Sequence, residues 1–348
     1  MRLFWAAACC LGVSGVLRAQ VVSAPCLNPS LMKGLTYASW WPGQYASAES
    51  DRSLEKIRSV GADWISLIVT QYQTSKMTTE IFRTGTTPTD DDLIHAIGKA
   101  KSLGIKVMLK PHVDTRAPGQ WRGQIGEGFT EAHWNRWFES YGRMIAHYAR
   151  MAEEQGVDLF SIGTELEGTS GRERRWRELI DSVRGVYSGP ITYAATTAEA
   201  PRIRWWDGVD YVGIDAYYPL TSVSDPTMEQ LIAGWRRHSD AITSLAAGKP
   251  VIFTEAGFRS VDGANQRPWA WGEPGLVDLN EQADCYQATL RALGRRPWLA
   301  GMFWWVWGAT ITEGGSTDDD YTPQNKPAEY VLRYWYGGCR GSAKAKEP

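Results

Sequence analysis

The sequence is poor in the residues that metal and redox chemistry need. Five His and five Cys are scattered over 348 residues, without H-E-x-x-H, C-x-x-C or other ligand spacing, and no G-x-S-x-G marks a serine nucleophile. No metal and no cofactor are therefore expected. An excess of charge is also missing: 37 basic residues stand against 39 acidic ones, so no strong field attracts nucleic acid or anionic lipid. Beyond the N-terminus no segment approaches about 18 uninterrupted apolar residues, and no membrane span is expected in the mature chain. A Pro/Gly/Ser-rich linker is absent as well, which favours one domain, and no G-x-G-x-x-G follows an early strand as a doubly wound nucleotide-binding sheet would want.

What the chain has in quantity is aromatic surface, with 18 Trp and 15 Tyr. Such rings fill cores and also stack on the apolar faces of sugars. The start, Met1-Arg2-Leu3-Phe4-Trp5 running apolar to Leu17, has the form of a secretory signal. Residues 1–24 are expected to be removed by a cut after Ala19 or Ala24, leaving a secreted or periplasmic protein. Cys9 and Cys10 would leave with it. Of the remaining Cys26, Cys285 and Cys339, Cys26 and Cys339 bracket the domain and are expected to pair in an oxidising compartment.

From Lys33 onward the pattern is apolar strand, loop, helix, repeated eight times. The strands are read at 34–40, 64–70, 106–112, 157–164, 191–195, 209–219, 250–256 and 301–307, nearly all apolar on both faces. This predicts an α/β fold, a (β/α)8 TIM barrel in a single domain over residues 25–340, with a disordered tail at 341–348 and a monomeric state. Helices are expected at 130–155, 172–186 and 227–247, a short one at 202–206, and one opened by the N-cap Thr89. Two long polar loops, 113–129 and 259–279, belong on the rim where a barrel keeps its chemistry.

Two strands end alike. Val157 to Glu167 reads Val-Asp-Leu-Phe-Ser-Ile-Gly-Thr-Glu-Leu-Glu, and Val251 onward reads Val-Ile-Phe-Thr-Glu-Ala-Gly. Each delivers a Thr-Glu pair to a strand's C-terminal end, so Glu165 and Glu255 face one cleft together with His112, Tyr217 and Trp305. Two neighbouring carboxylates titrate unequally, which makes one an acid and leaves the other a nucleophile. Glycoside cleavage uses such a pair, with retention when they stand about 5–5.5 Å apart and inversion at about 6.5–9.5 Å. The alternative for either Glu is a salt-bridged strand end. Glu167 competes with Glu165 but points away, and Asp215 reads as structural. Tyr217 is expected to donate to the nucleophile. Lys110 and His112 have two readings: functionally they bind sugar hydroxyls or restrain the carboxylates; structurally they are a paired lysine and a satisfied core histidine. Trp40, Trp269, Trp271 and Trp307 are candidate stacking platforms.

With these residues in view the chain resembles the family 113 glycoside hydrolases of the large retaining (β/α)8 clan, whose characterised members are β-mannanases. The resemblance rests on Lys110-Pro111-His112-Val113-Asp114, Ile162-Gly163-Thr164-Glu165-Leu166, Gly213-Ile214-Asp215-Ala216-Tyr217-Tyr218-Pro219, Phe253-Thr254-Glu255 and Phe303-Trp304-Trp305. It implies that Glu165 is the acid/base, Glu255 the nucleophile, Tyr217 its neighbour, and Trp305 the floor under the reacting sugar. It implies a retaining, endo-acting hydrolase of β-1,4-mannan or glucomannan. Thr164 stands where the wider clan has Asn, while Thr196 and Val306 stand where the family carries Asn. Those departures bear on which sugar is taken. The other expectations are a clan glycosidase acting on a glucan or other oligosaccharide, and a non-catalytic carbohydrate-binding barrel.

Overall fold

The computed structural model describes residues 26–338. The signal segment, the tail and Cys339, and with it the expected Cys26–Cys339 bridge, lie outside the described residues. Eight parallel strands close on themselves in sequence order: β1 Met32–Ala38, β2 Trp64–Gln73, β3 Lys106–Thr115, β4 Leu159–Thr164, β5 Ile191–Thr196, β6 Tyr211–Asp215, β7 Val251–Ala256 and β8 Leu299–Gly308. The outer layer is α1 Ala48–Val60, α2 Asp90–Ser102, α3 Glu131–Glu154, the single turn α4 Glu167–Ser170, α5 Glu173–Arg184, α6 Met228–Ala246, α7 Leu279–Leu293 and α8 Pro327–Gly337. This is the single-domain (β/α)8 barrel that the strand pattern predicts. No helix among the described residues is long and apolar enough to cross a membrane.

Strand side chains alternate between two apolar worlds. Trp64, Met108, Leu159, Ile252 and Phe303 fill the lower barrel interior, while Ile65, Leu67, Val69, Phe160, Ile162 and Tyr193 belong to the larger core under the helices. Gly34 lets this interior close, because a Cβ there would stand 2.3 Å from the Phe303 ring. Much of the aromatic content sits outside the barrel wall. Trp137 stacks on Tyr141 at 4.7 Å and Trp176 on Trp205 at 4.9 Å, and each of the four is buried. Burying each such ring contributes about 1.5–3 kcal/mol.

Thr89 caps α2 as expected, accepting from Asp92 N at 3.1 Å. The Asp92 carboxylate returns the bond to Thr89 N and also takes Gly43 N at 2.9 Å, so one cap anchors the β1–α1 loop on the rim. Several boundaries differ from expectation. β6 stops at Asp215, since Tyr217 N turns back onto Asp215 O at 3.0 Å and Pro219 has no N–H to continue a ladder. The helix expected over 202–206 is replaced by two 3-10 turns, 200–202 and 206–208. Pro201 sits in the first, and Trp205 and Trp206, at the start of the second, turn into the core. The helix expected from 172 begins at Glu173, after the separate turn α4.

Candidate active site

Lys110 and His112 lie two residues apart on β3, continuing the inward face of Met108. Lys110 is fully buried, and its Nζ donates to Glu255 Oε1 at 2.5 Å and to Asp215 Oδ1 at 3.3 Å. Thr254 Oγ1 donates to the same Asp215 oxygen at 2.7 Å. Thr254 and Glu255 are adjacent, and in a regular strand they would face opposite ways. The pairing of β7 slips between Phe253 and Ala256 on one side and opposite Ile214–Asp215 on the other. That bulge turns both side chains into the lumen. The second Glu255 oxygen, Oε2, accepts from Tyr217 Oη at 2.8 Å.

One ammonium thus serves two carboxyl groups. Burial, reinforced by the charge of Glu255, holds Asp215 well above the usual carboxylate range despite Lys110. Its Oδ2 has no partner among the described residues. Lys110 is thus shared between them and stands closer to Glu255 than to Asp215.

Glu165 is built differently. It follows the last residue of β4, in the left-handed region at φ 54°, with its backbone N–H on Ala194 O at 2.8 Å. Its nearest cation is Arg122, Nη1 to Oε2 at 4.0 Å. Burial pushes the Glu165 carboxyl up to about 7; Arg122 opposes this and the Glu255 charge adds to it. The two glutamates therefore feel one another across the mouth of the barrel.

Arg122, from the β3–α3 loop, also grips Asp114 through Nε at 3.3 Å and Nη2 at 2.8 Å, and donates Nη1 to His112 Nδ1 at 3.0 Å. A guanidinium only donates, so Nδ1 accepts and the imidazole proton sits on Nε2. Burial and then the Arg122 and Lys110 charges drive the His112 pKa well below its ordinary value, keeping it neutral. Its Nε2–H is buried without a partner among the described residues, beside a parallel Trp305 ring at 6.3 Å. This is a fixed donor and an aromatic face in the same recess.

The other expected residues divide. Trp40, Trp269 and Trp271 are exposed on rim loops at 39%, 51% and 80%. Trp307 is not on the cleft: it is fully buried and donates Nε1 to Ser53 Oγ of α1 at 3.0 Å. The cause is one extra β8 residue between the Leu35–Trp304 and Tyr37–Trp307 pairs, which turns Trp307 outward. Lys110 has no surface to offer a sugar hydroxyl; its pairing with Glu255 and Asp215 fits both the expected restraint of the carboxylates and the expected paired lysine. Glu167, on α4, is engaged in an ion pair with Arg202 and accepts from Thr196 Oγ1 at 3.4 Å. Among the described residues no group of three His, Cys, Asp or Glu could hold a metal ion.

A profile of Glycoside Hydrolase Family 113 matches residues 35–326. The chain belongs to this family. A solved family 113 β-1,4-mannanase in complex form is 31% identical with a TM-score of 0.80, the match covering 88% of this chain and 99% of that one. The family 113 β-mannanase of Alicyclobacillus acidocaldarius in complex with ManMIm is likewise 31% identical at TM-score 0.80, over 88% of this chain and 97% of that one. The β-glucuronidase of Faecalibacterium prausnitzii, 16% identical at TM-score 0.60 over 89% of this chain and 49% of that one, shares the barrel fold alone. No curated protein matches.

As a family 113 glycoside hydrolase the enzyme acts on carbohydrate, and its site contains residues that the sequence pattern did not single out. Arg122 is one, because nothing in the spacing of a Gly-rich loop ties it to Glu165, 43 positions later by number. Trp41 and Trp121, exposed at 59% and 39% on the β1 and β3 loops, add two indoles to the rim. Trp41 immediately follows Trp40, so the doublet itself was the available signal.

Proposed function

We propose that this family 113 enzyme is a retaining, endo-acting β-1,4-mannanase that cleaves mannan or glucomannan by double displacement, without a cofactor. Glu255 attacks the anomeric carbon, and Glu165 gives its proton to the departing glycosidic oxygen. Glu165 then takes a proton from water as that water releases the sugar from Glu255. The observation that carries this reading is the contrast between the two carboxyl groups. One accepts from Lys110 and Tyr217 and is aimed by them; the other is raised by burial to about 7, where near neutral pH it can both give and take a proton.

The β-mannanase descriptions of the 31% identical structures support the choice of sugar. A second reading, another β-1,4-linked series, is favoured by Thr196. Its hydroxyl is occupied by Glu199 N at 3.0 Å and by Glu167 at 3.4 Å. We also read the enzyme as a monomer exported by its apolar N-terminal run.

The test is hydrolysis of β-1,4-linked manno-, gluco- and xylo-oligosaccharides by wild type, Glu165→Gln and Glu255→Gln, with product anomers followed by NMR. Cleavage of the manno series with retained configuration and loss in both variants is expected. Inverted products would overturn the mechanism, cleavage of only another series would overturn the sugar, and binding without cleavage would make this a carbohydrate-binding barrel.

A further inference from the structure

Behind Glu165, on the helix side of the barrel wall, lies a second buried acid that the reaction does not use. Glu199 is fully buried, and burial raises its carboxyl to about 7 even with Tyr193 donating to it. A buried acid costs stability that an apolar side chain would not, so its contacts decide what it is for. Tyr193 Oη donates to Glu199 Oε1 at 2.7 Å, and Thr196 N donates to Oε2 at 3.3 Å. The same phenol oxygen accepts from Leu166 N at 2.9 Å. A backbone N–H can only donate, so the single phenol proton is directed to Glu199.

Leu166 is the residue after Glu165. With Glu165 N on Ala194 O, both N–H groups flanking the Glu165 side chain are held by acceptors on β5. Those anchors oppose a real tendency to relax, because a non-glycine residue in the left-handed region costs about 1–3 kcal/mol and persists only where its surroundings over-determine it. The clamp itself is rigid. Tyr193 is packed edge-on by Trp176 and Trp205, each at 5.1 Å. It also lies against bare backbone at Gly163, where a Cβ would come within 2.8 Å of the ring.

We propose that Tyr193 and Glu199 are positioning residues for Glu165, clamping the Glu165–Leu166 peptide from behind so that the acid/base carboxyl stands at the glycosidic oxygen. This rests on the reading of Glu165 as the acid/base. Neither residue touches the sugar. Losing the clamp lets the peptide relax and moves the proton donor, and a displacement of about 1 Å in such a group costs about 10²-fold. The loss falls on the step that needs protonation. A dinitrophenyl leaving group departs without a proton and escapes it, whereas a general disturbance of the barrel would slow both kinds of substrate.

The experiment compares kcat/KM, which reports the first bond cleavage, for β-1,4-mannohexaose and 2,4-dinitrophenyl β-mannobioside in wild type, Glu165→Ala, Tyr193→Phe and the isosteric Glu199→Gln, with thermal unfolding of each. Expected is a loss of about 10²-fold on mannohexaose in Tyr193→Phe, and a smaller loss of the same kind in Glu199→Gln. On the dinitrophenyl glycoside both should stay within about twofold of wild type. If Glu165→Ala shows the selective loss and the two clamp variants lose equally on both substrates, or not at all, the clamp is overturned and the acid/base reading stands. If Glu165→Ala itself is not selective, the acid/base reading fails and the clamp falls with it.

Discussion

The mouths of β4 and β7 carry the same dipeptide, Thr-Glu, and build opposite sites from it. At β7 the glutamate is inside the strand, turned inward by a bulge, and fixed at both oxygens by Lys110 and Tyr217. At β4 it stands one residue beyond the strand in a left-handed conformation, fixed through its backbone, with Arg122 no closer than 4.0 Å. A group that forms a bond to carbon must be aimed. A group that passes protons must be placed but left free to exchange them, and holding it by its peptide does that.

The sharpest way to break this contrast is Glu255→Ala. We expect turnover to fall to background, and azide to restore part of it by attacking from the vacated face, giving a glycosyl azide of inverted configuration. Near wild-type hydrolysis in this variant would reverse the two mouths.

Tyr217→Phe tests the aiming alone. Removing a hydrogen bond to a charged group costs about 1.5–3 kcal/mol, so kcat should drop by about tenfold to 10²-fold. The drop should be the same for good and poor leaving groups, unlike a lesion at β4.

A pH profile reads the β4 mouth directly. In the proposed mechanism Glu165 works as an acid in the first step, and burial raises its carboxyl to about 7. The fraction carrying the proton is full well below pH 7 and falls about tenfold per unit above it, so kcat/KM should decline on the alkaline side with a midpoint of about 7. Arg122 opposes the shift, and Arg122→Leu should therefore move that limb to higher pH. The same displacement sets a stability slope. The folded protein holds a proton on Glu165 and on Glu199 that the unfolded chain releases near pH 4.5. These two groups therefore make the fold less stable as pH rises from about 4.5 through about 7. Denaturant titrations should show a shallower slope in Glu199→Gln.

The smallest effect belongs to the rim. The β7–α7 loop carries Trp269 and Trp271, and Tyr321 ties it down by donating to Pro268 O at 2.6 Å while its ring meets Tyr217 edge-on at 6.0 Å. Trp271→Ala should weaken binding of long oligosaccharides by about twofold to tenfold, the range expected of one aromatic stack, and leave short substrates unchanged. Trp307→Ala should instead lower stability by about 3–5 kcal/mol, as loss of a buried Trp does.

The sequence by itself determined the barrel. Eight apolar runs separated by helix-period segments have one good way to bury both faces of every strand, and that way brings the ends carrying Glu165, His112, Tyr217, Glu255 and Trp305 to one rim. Only the tertiary structure decided which way each side chain turns there. A bulge of one residue reverses a strand's alternation, which is how Glu255 came inward and Trp307 went outward, and periodicity cannot register a slip that depends on the neighbouring strand. The partners of Glu165 were equally out of reach. Arg122 and Tyr193 meet it through loop closure and strand pairing across long stretches of chain, and the burial that raises its carboxyl is the sum of what every surrounding element excludes.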